Sequence, residues 1–271
     1  MTRAPNLPAS NLPVTRHGFT RDGLALSYLD FGGPAERTLV CLHGRSGCAR
    51  NFVPLAQALG DTFRIVALDQ RGHGWSGHSA DGSRAAFVAD AATLIRRLDC
   101  GPVLLLGHSL GGVNAYQTAA RHPDLVRALV VEDIGCRFGP PEAEESWPTR
   151  WATLDQFLAF MQATPIGINR LLLDSLHEFD DGWGFRFSDE NYRPMRAALT
   201  GDWSADWAAI ACPVLLLRGE TSWALPADEA ARMAALNPRC ELQSFDAGHV
   251  IHDDRPAGFA AALRDFFGRH G

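Results

Sequence analysis

Five short apolar runs, each leading into Gly, Asp or Glu, set the tightest limit on what this 271-residue chain can fold into. They are TLVCLHG from Thr38, FRIVALDQRGHG from Phe63, VLLLGHS from Val103, ALVVEDIG from Ala128 and PVLLLRGE from Pro213. Runs without polar alternation suit strands buried on both faces, a position that a parallel sheet covered by helices provides. The intervening segments ARNFVPLAQALG, SRAAFVADAATLIRRLD and LGGVNAYQTAARHP read as helices, the last stopped by Pro123. Alternation of this kind predicts an α/β fold with a doubly wound, mostly parallel sheet and functional loops at the carboxyl ends of its strands. Ahead of it, HGFTRDGLALSYLDFG gives two short strands joined at Asp22 and Gly23, and residues 1–14 form a loose arm.

The rhythm breaks between Cys136 and Asp206. PPEAEESWP, the amphipathic WATLDQFLAFMQAT, LLLDSLHEF and DGWGFRF contain no run that reads as a buried strand. The expected organisation is therefore a core domain of residues 15–135 and 207–271, with residues 136–206 inserted as a helical cap. Trp147, Trp151, Trp183, Trp203 and Trp207 fall in or beside the insertion. Trp147, Trp151 and Trp183 are candidates for an apolar roof over a substrate, the alternative being that they only pack the insertion onto the core.

A net charge of -6 and a pI near 5.9 argue against nucleic acid as a partner, because phosphate neutralisation needs clustered basic residues. The opening MTRAPNLPASNLPV lacks the apolar centre of a signal peptide, and runs such as LVRALVV are too short to span a bilayer. The expectation is a soluble cytoplasmic protein that meets a small-molecule substrate and no membrane, with monomer and homodimer both left open. Six cysteines, Cys41, Cys48, Cys100, Cys136, Cys212 and Cys240, form no CxxC pair, so neither disulfides nor a zinc site is expected.

Chemistry enters at VLLLGHSLGG, residues 103–112. Gly107, Ser109 and Gly111 give the GxSxG spacing of a tight strand-to-helix turn that pushes a serine hydroxyl out above the sheet. The helix that follows directs its free N–H groups at any oxyanion formed there. Ser109 is thus a candidate nucleophile, and it needs a base to take its proton. His249 in FDAGHVIH is the candidate base and His252 its local competitor. A metal site made of His249, His252, Asp253 and Asp254 would lack the HExxH spacing on a helix, so no metal is expected.

LHGRSG after one strand, DQRGHGWS after the next, GHSLGG at the turn, the insertion, and AGHVIHDDRP near the end follow in the order of the α/β-hydrolase fold superfamily. The chain resembles that superfamily from Leu24 to its C-terminus, and its LDQRGHG and RGETS runs make it similar to small-molecule amidase and esterase members. The resemblance implies a serine hydrolase with His249 in the place of the superfamily histidine. Members often carry an aspartate after the penultimate strand, where RGETSWALP offers only Glu220 as an acid. Other members supply the acid from the end of the preceding sheet strand, which here closes on Glu132 and Asp133. Asp133 is the acid implied by relatives with RGESS-like loops, with Glu132 and then Glu220 as alternatives.

The oxyanion donors expected for such a site are the backbone amides of Leu110 and Arg45. The Arg45 guanidinium is also a candidate to hold a substrate carboxylate, and His108 is a further candidate substrate contact. His43 is expected to brace its loop, and Asp69 and Arg71 can pair within theirs. Together these features imply cofactor-free acyl transfer to Ser109 on an ester, lactone or amide. Carbon–carbon bond hydrolysis of a vinylogous diketone on the same residues, or a hydrolase-fold binding protein without turnover, are the alternatives. Dehalogenase and epoxide hydrolase chemistry would need an aspartate in place of Ser109.

Overall fold

The computed structural model describes residues 13–140, 148–164, 167–187 and 189–270, so most of the expected arm and Trp147 lie outside the described residues. A hairpin comes first, β1 (Thr15–Arg21) and β2 (Leu24–Asp30), turning at Asp22 and Gly23, both with positive φ. There follow β3 (Thr38–Leu42), α1 (Val53–Leu59), β4 (Arg64–Asp69), α2 (Arg84–Leu98), β5 (Val103–His108), α3 (Leu110–Arg121) and β6 (Val126–Glu132). The insertion carries β7 (Arg137–Phe138), β8 (Arg150–Trp151), α4 (Leu154–Ala163), α5 (Arg170–Ser175), β9 (Leu176–Phe179), β10 (Gly182–Phe185), α6 (Asp189–Leu199) and β11 (Gly201–Asp202). The chain closes with α7 (Ser204–Ala208), β12 (Val214–Gly219), α8 (Ala227–Leu236), β13 (Cys240–Phe245), α9 (Ile251–Asp254) and α10 (Pro256–His270).

Eight strands form the main sheet in the order β1-β2-β4-β3-β5-β6-β12-β13. From β4 to β13 every pairing is parallel, and only the hairpin joins antiparallel. Successive residues of a strand point to opposite faces, so each apolar run feeds two cores at once. Val40, Leu105, Leu129 and Leu216 enter one core, under α2, α3 and α8. Leu39, Leu104, Val130 and Leu217 enter the other, under α1 and α10. Two covered faces explain why the strands read as continuous rather than alternating runs. Among the described residues no helix is long and apolar enough to cross a membrane.

The insertion departs from the helical reading by adding a three-stranded antiparallel sheet, β8-β10-β9. Strands of two to four residues are too short to show a period, which is why the sequence displayed only the helices. Trp151, Phe157, Met161, Leu172 and Phe185 give this unit a small core of its own. It also reaches down onto the main domain, where Met195 of α6 packs with Phe87 of α2 and Leu110 of α3.

Candidate active site

At the end of β5 the backbone turns through Ser109 at φ 52° and ψ −120°, a region that side-chain-bearing residues rarely adopt. Such a residue costs about 1–3 kcal/mol and persists only where its surroundings enforce it. Gly107 makes the turn possible, since a Cβ there would strike the Gly111 carbonyl across it. The Ser109 amide donates to the Glu132 carbonyl at 3.0 Å, which ties the turn to the neighbouring strand. The serine side chain is left half-buried at the strand ends.

Ser109 Oγ lies 2.9 Å from His249 Nε2, and His249 Nδ1 lies 2.7 Å from Asp133 Oδ2. The imidazole thus stands between hydroxyl and carboxylate, its Nδ1–H donating to Asp133 and its Nε2 accepting from Ser109. Asp133 is fully buried and has φ 54°, a left-handed turn that carries it just past the end of β6. Its Oδ1 accepts the Gly219 amide at 2.8 Å, and its Oδ2 also accepts from the Ser222 hydroxyl. Ser222 therefore occupies the loop where relatives often carry their acid, and donates to the acid instead. Three donors thus converge on a carboxylate that has no accessible surface.

The other two acids go elsewhere. Glu132 is turned away from His249 and binds His252, with Nδ1 2.8 Å from Oε2. Glu220 is exposed at the end of β12, contributing its amide to the Phe245 carbonyl at 2.8 Å. His252 is buried on that pair and does not reach Ser109. His108 is buried beneath the turn rather than facing a substrate, and its Nε2–H donates to the His249 carbonyl at 2.9 Å. Burial above all holds its pKa down to about 3, so the ring stays neutral and braces the His249 loop.

Leu110 opens α3, so its amide has no acceptor within the helix. The loop that carries Arg45 comes close beside it, since a Cβ on Gly44 would meet the His108 ring and the Ser109 Cβ at 3.2 Å. Ser46, with φ 63°, continues that turn. His43 props it from within: it is buried, its Nδ1 lies 2.7 Å from the Gly44 carbonyl, and its Nε2 accepts the Gln70 amide at 3.0 Å. Asp69 and Arg71 do not pair with each other as expected. Asp69 takes the Ala49 and Trp75 amides and Arg16, while Arg71 pairs with Asp90 at 2.6 Å, because the turn after β4 points the two side chains to different neighbours.

Two aromatic rings lie near this group of residues. Trp223 lies with its ring 5.1 Å from His249 and is 79% exposed, and the exposed Arg45 side chain lies over the Tyr192 ring of α6 at 4.6 Å. Neither Trp223 nor Tyr192 was singled out as a wall from the sequence. The two tryptophans that were, and that lie within the described residues, sit elsewhere. Trp151 is buried in the insertion's core against Phe157 and Phe185, and Trp183 lines a separate cleft of about 540 Å³ with Arg16, Trp75 and His177. That cleft touches none of Ser109, His249 and Asp133.

A mostly parallel eight-stranded sheet with a serine at the strand-to-helix turn after β5 and a histidine loop after the last strand defines an α/β-hydrolase. Residues 39–262 match the model of the alpha/beta hydrolase family, and the chain belongs to that family. It is similar to a 3-hydroxybutyrate-oligomer hydrolase from Cupriavidus necator, with 30% identity over 90% of this chain and 93% of that protein. It is also 31% identical to the sn-1-specific diacylglycerol lipase ABHD11 of Mus musculus, over 90% of this chain and 85% of the other. Among solved structures, E-2-(acetamidomethylene)succinate hydrolase superposes with a TM-score of 0.82 at 25% identity, covering 94% of this chain and all of that one. The protein is a hydrolase of the alpha/beta family.

Proposed function

We propose that this chain is a serine hydrolase that cleaves a small-molecule carboxylic ester, lactone or amide through an acyl-enzyme on Ser109. The observation that carries this reading is the unbroken hydrogen-bonded series from the Ser109 hydroxyl through His249 to the buried Asp133. His249 Nε2 takes the hydroxyl proton as Ser109 Oγ bonds to the substrate carbonyl carbon. The oxyanion is received by the Leu110 and Arg45 amides, donors already held in place before the reaction. Collapse expels the alcohol or amine, which leaves with the proton held on His249. Water then attacks the acyl carbon, gives a proton to His249, and the acid departs as Ser109 regains its own. Asp133 holds the imidazole in the Nδ1–H tautomer and stabilises it when charged.

Relatives along nearly the whole chain that are named as a hydrolase of 3-hydroxybutyrate oligomers and as a diacylglycerol lipase support the hydrolytic reading. Trp223 and Tyr192 would face a compact, partly apolar acyl group, with the Arg45 guanidinium as the polar element beside them. The test is a fluorophosphonate probe followed by turnover of a panel of esters, lactones, N-acyl compounds and vinylogous diketones. Phosphonylation of Ser109 and ester turnover are expected. A folded protein that resists the probe would overturn the reading, and turnover confined to the diketones would move it to carbon–carbon bond hydrolysis.

A further inference from the structure

The loop that carries His249 is held by a second acid–imidazole pair that the proposed chemistry does not use. Glu132 is fully buried at the end of β6, and its Oε1 accepts the His252 amide at 3.0 Å. His252 Nδ1 lies 2.9 and 2.8 Å from the two carboxylate oxygens. The His252 ring is enclosed by Phe52, Phe259 and His108, at ring-centre distances of 5.9, 5.8 and 5.2 Å. Burial alone would push Glu132 up, but the attraction of His252 brings it down to about 2. Burial likewise opposes a charge on His252, and Glu132 outweighs it and raises the imidazole above its ordinary value.

Glu132 also reaches the nucleophile, because its own carbonyl accepts the Ser109 amide at 3.0 Å. The contacts therefore close on themselves: Ser109 amide to Glu132 carbonyl, Glu132 carboxylate to His252, three residues of chain back to His249, and His249 Nε2 to the Ser109 hydroxyl. His108 crosses this ring by bonding the His249 carbonyl. The segment lies between β13 and the four-residue α9. Its other ties flank His249: Thr221 bonds the Ala247 carbonyl, Asp254 accepts the Gly248 amide at 2.7 Å and Ile251 is buried, whereas the Glu132 carboxylate is what holds the turn at His252. Asp133 orients the His249 ring, but it does not fix where the backbone beneath that ring lies.

We propose that the Glu132–His252 pair is a positioning element that sets the reach of His249 to Ser109, so that it governs the chemical step and not substrate binding. The proposal rests on the reading of His249 as the base. Misplacing a reacting group by about 1 Å costs on the order of 100-fold in rate, which is the scale available to such a support.

Three variants test it, each assayed well below its own melting temperature and normalised to folded protein by circular dichroism. His252→Leu removes the donor but keeps an apolar side chain, His252→Asn keeps an N–H near the position of Nδ1, and Glu132→Gln removes the charge. Wild-type labelling by fluorophosphonate and ester turnover come first, because their absence would remove the underlying reading and the proposal with it. Given an active wild type, His252→Leu and Glu132→Gln are expected to lower kcat roughly 10- to 100-fold with KM within about twofold, to slow labelling of Ser109 in parallel, and His252→Asn to recover most of the loss. Wild-type kcat per folded molecule in His252→Leu would overturn the proposal, as would a loss confined to KM or an Asn variant as impaired as the Leu one. Should His252→Leu fail to fold, Glu132→Gln against His252→Asn reads the same split.

Discussion

The floor of the site and the roof above it are built by different means. On the floor, β5, β6 and β12 lie side by side in the sheet, and each delivers its residues where a strand ends: Ser109, Asp133 and Gly219 with its Ser222 loop. Strained backbone collects there, with Ser46, Ser109 and Asp133 all at positive φ. The roof is a separate unit with its own core of Trp151, Phe157 and Phe185, resting on the floor through Tyr192 and Met195 of α6. Sheet geometry places the proposed reacting groups, and the insertion, with a small core of its own, packs beside them through α6. Changes to the floor should therefore strike the chemical step, and changes to the roof should strike stability and KM.

The largest expected effect is on the floor. Asp133→Asn should lower kcat by about 10⁴-fold with the fold intact, because the amide carries no charge to stabilise the imidazolium and can present an N–H to Nδ1, which holds the ring in the wrong tautomer. Steady-state kinetics measures this, and a variant with normal turnover would transfer the acid role to Glu132 or Glu220. In the roof, Trp151→Ala should cost about 3–5 kcal/mol in urea unfolding by leaving a cavity among aromatic rings. The account expects kcat for a small ester to stay close to wild type in that variant, and a collapse of kcat would join roof and floor into one functional unit.

Acid should also separate the two regions. Burial keeps His43 near 4 and His73 and His108 near 3, below the value of about 6.5 that they take when unfolded. Below pH 6.5 the unfolded chain therefore binds protons that the folded one refuses. Stability should fall with pH by about 1.4 kcal/mol per unit for each of these histidines until the native rings protonate near pH 3–4. Glu132 adds to this fall in the lower part of that window, its contribution being lost between its ordinary value of about 4.5 and about 2, whereas that of His252 is lost as pH rises from about 6.5 through its raised value. A urea midpoint unchanged between pH 7 and pH 5 would contradict the neutral, buried state of these rings.

Smaller effects follow nearer the surface. Ser222→Ala removes one of three donors to Asp133 and should lower kcat about tenfold, as expected for one hydrogen bond to a charged group. Arg45→Ala leaves the amide in place and removes only the side chain that lies over Tyr192. It should raise KM a few-fold, on the order of 1 kcal/mol, and more for an acyl group bearing a carboxylate than for a neutral one.

How much of this was legible in the sequence follows the same division. The five parallel strands and Ser109 could be named from apolar runs and a glycine-flanked turn, whereas His249 and Asp133 were named through the family resemblance. The role of Ser222 could not be read that way, since it exists only because β12 lies beside β6, with Leu217 paired to Glu132. Why Asp133 and not Glu132 meets His249 lies in the left-handed turn at Asp133, which sends neighbouring carboxylates to different histidines and has no signature in the sequence. The roof was the least legible part. A tryptophan in a sequence says that a large ring will be buried somewhere, not which way it faces, and Trp151 and Trp183 face away from the triad while Trp223 stands beside it.

The central claim, a covalent acyl group on Ser109 delivered with the help of His249, is tested most directly by rapid acid quench of the enzyme with a slowly deacylating ester, followed by intact and peptide mass measurement. The account predicts a mass gain equal to the acyl group, localised to Ser109 and absent in Ser109→Ala. Steady turnover with no acylated species at any time, or turnover that survives Ser109→Ala, would contradict it.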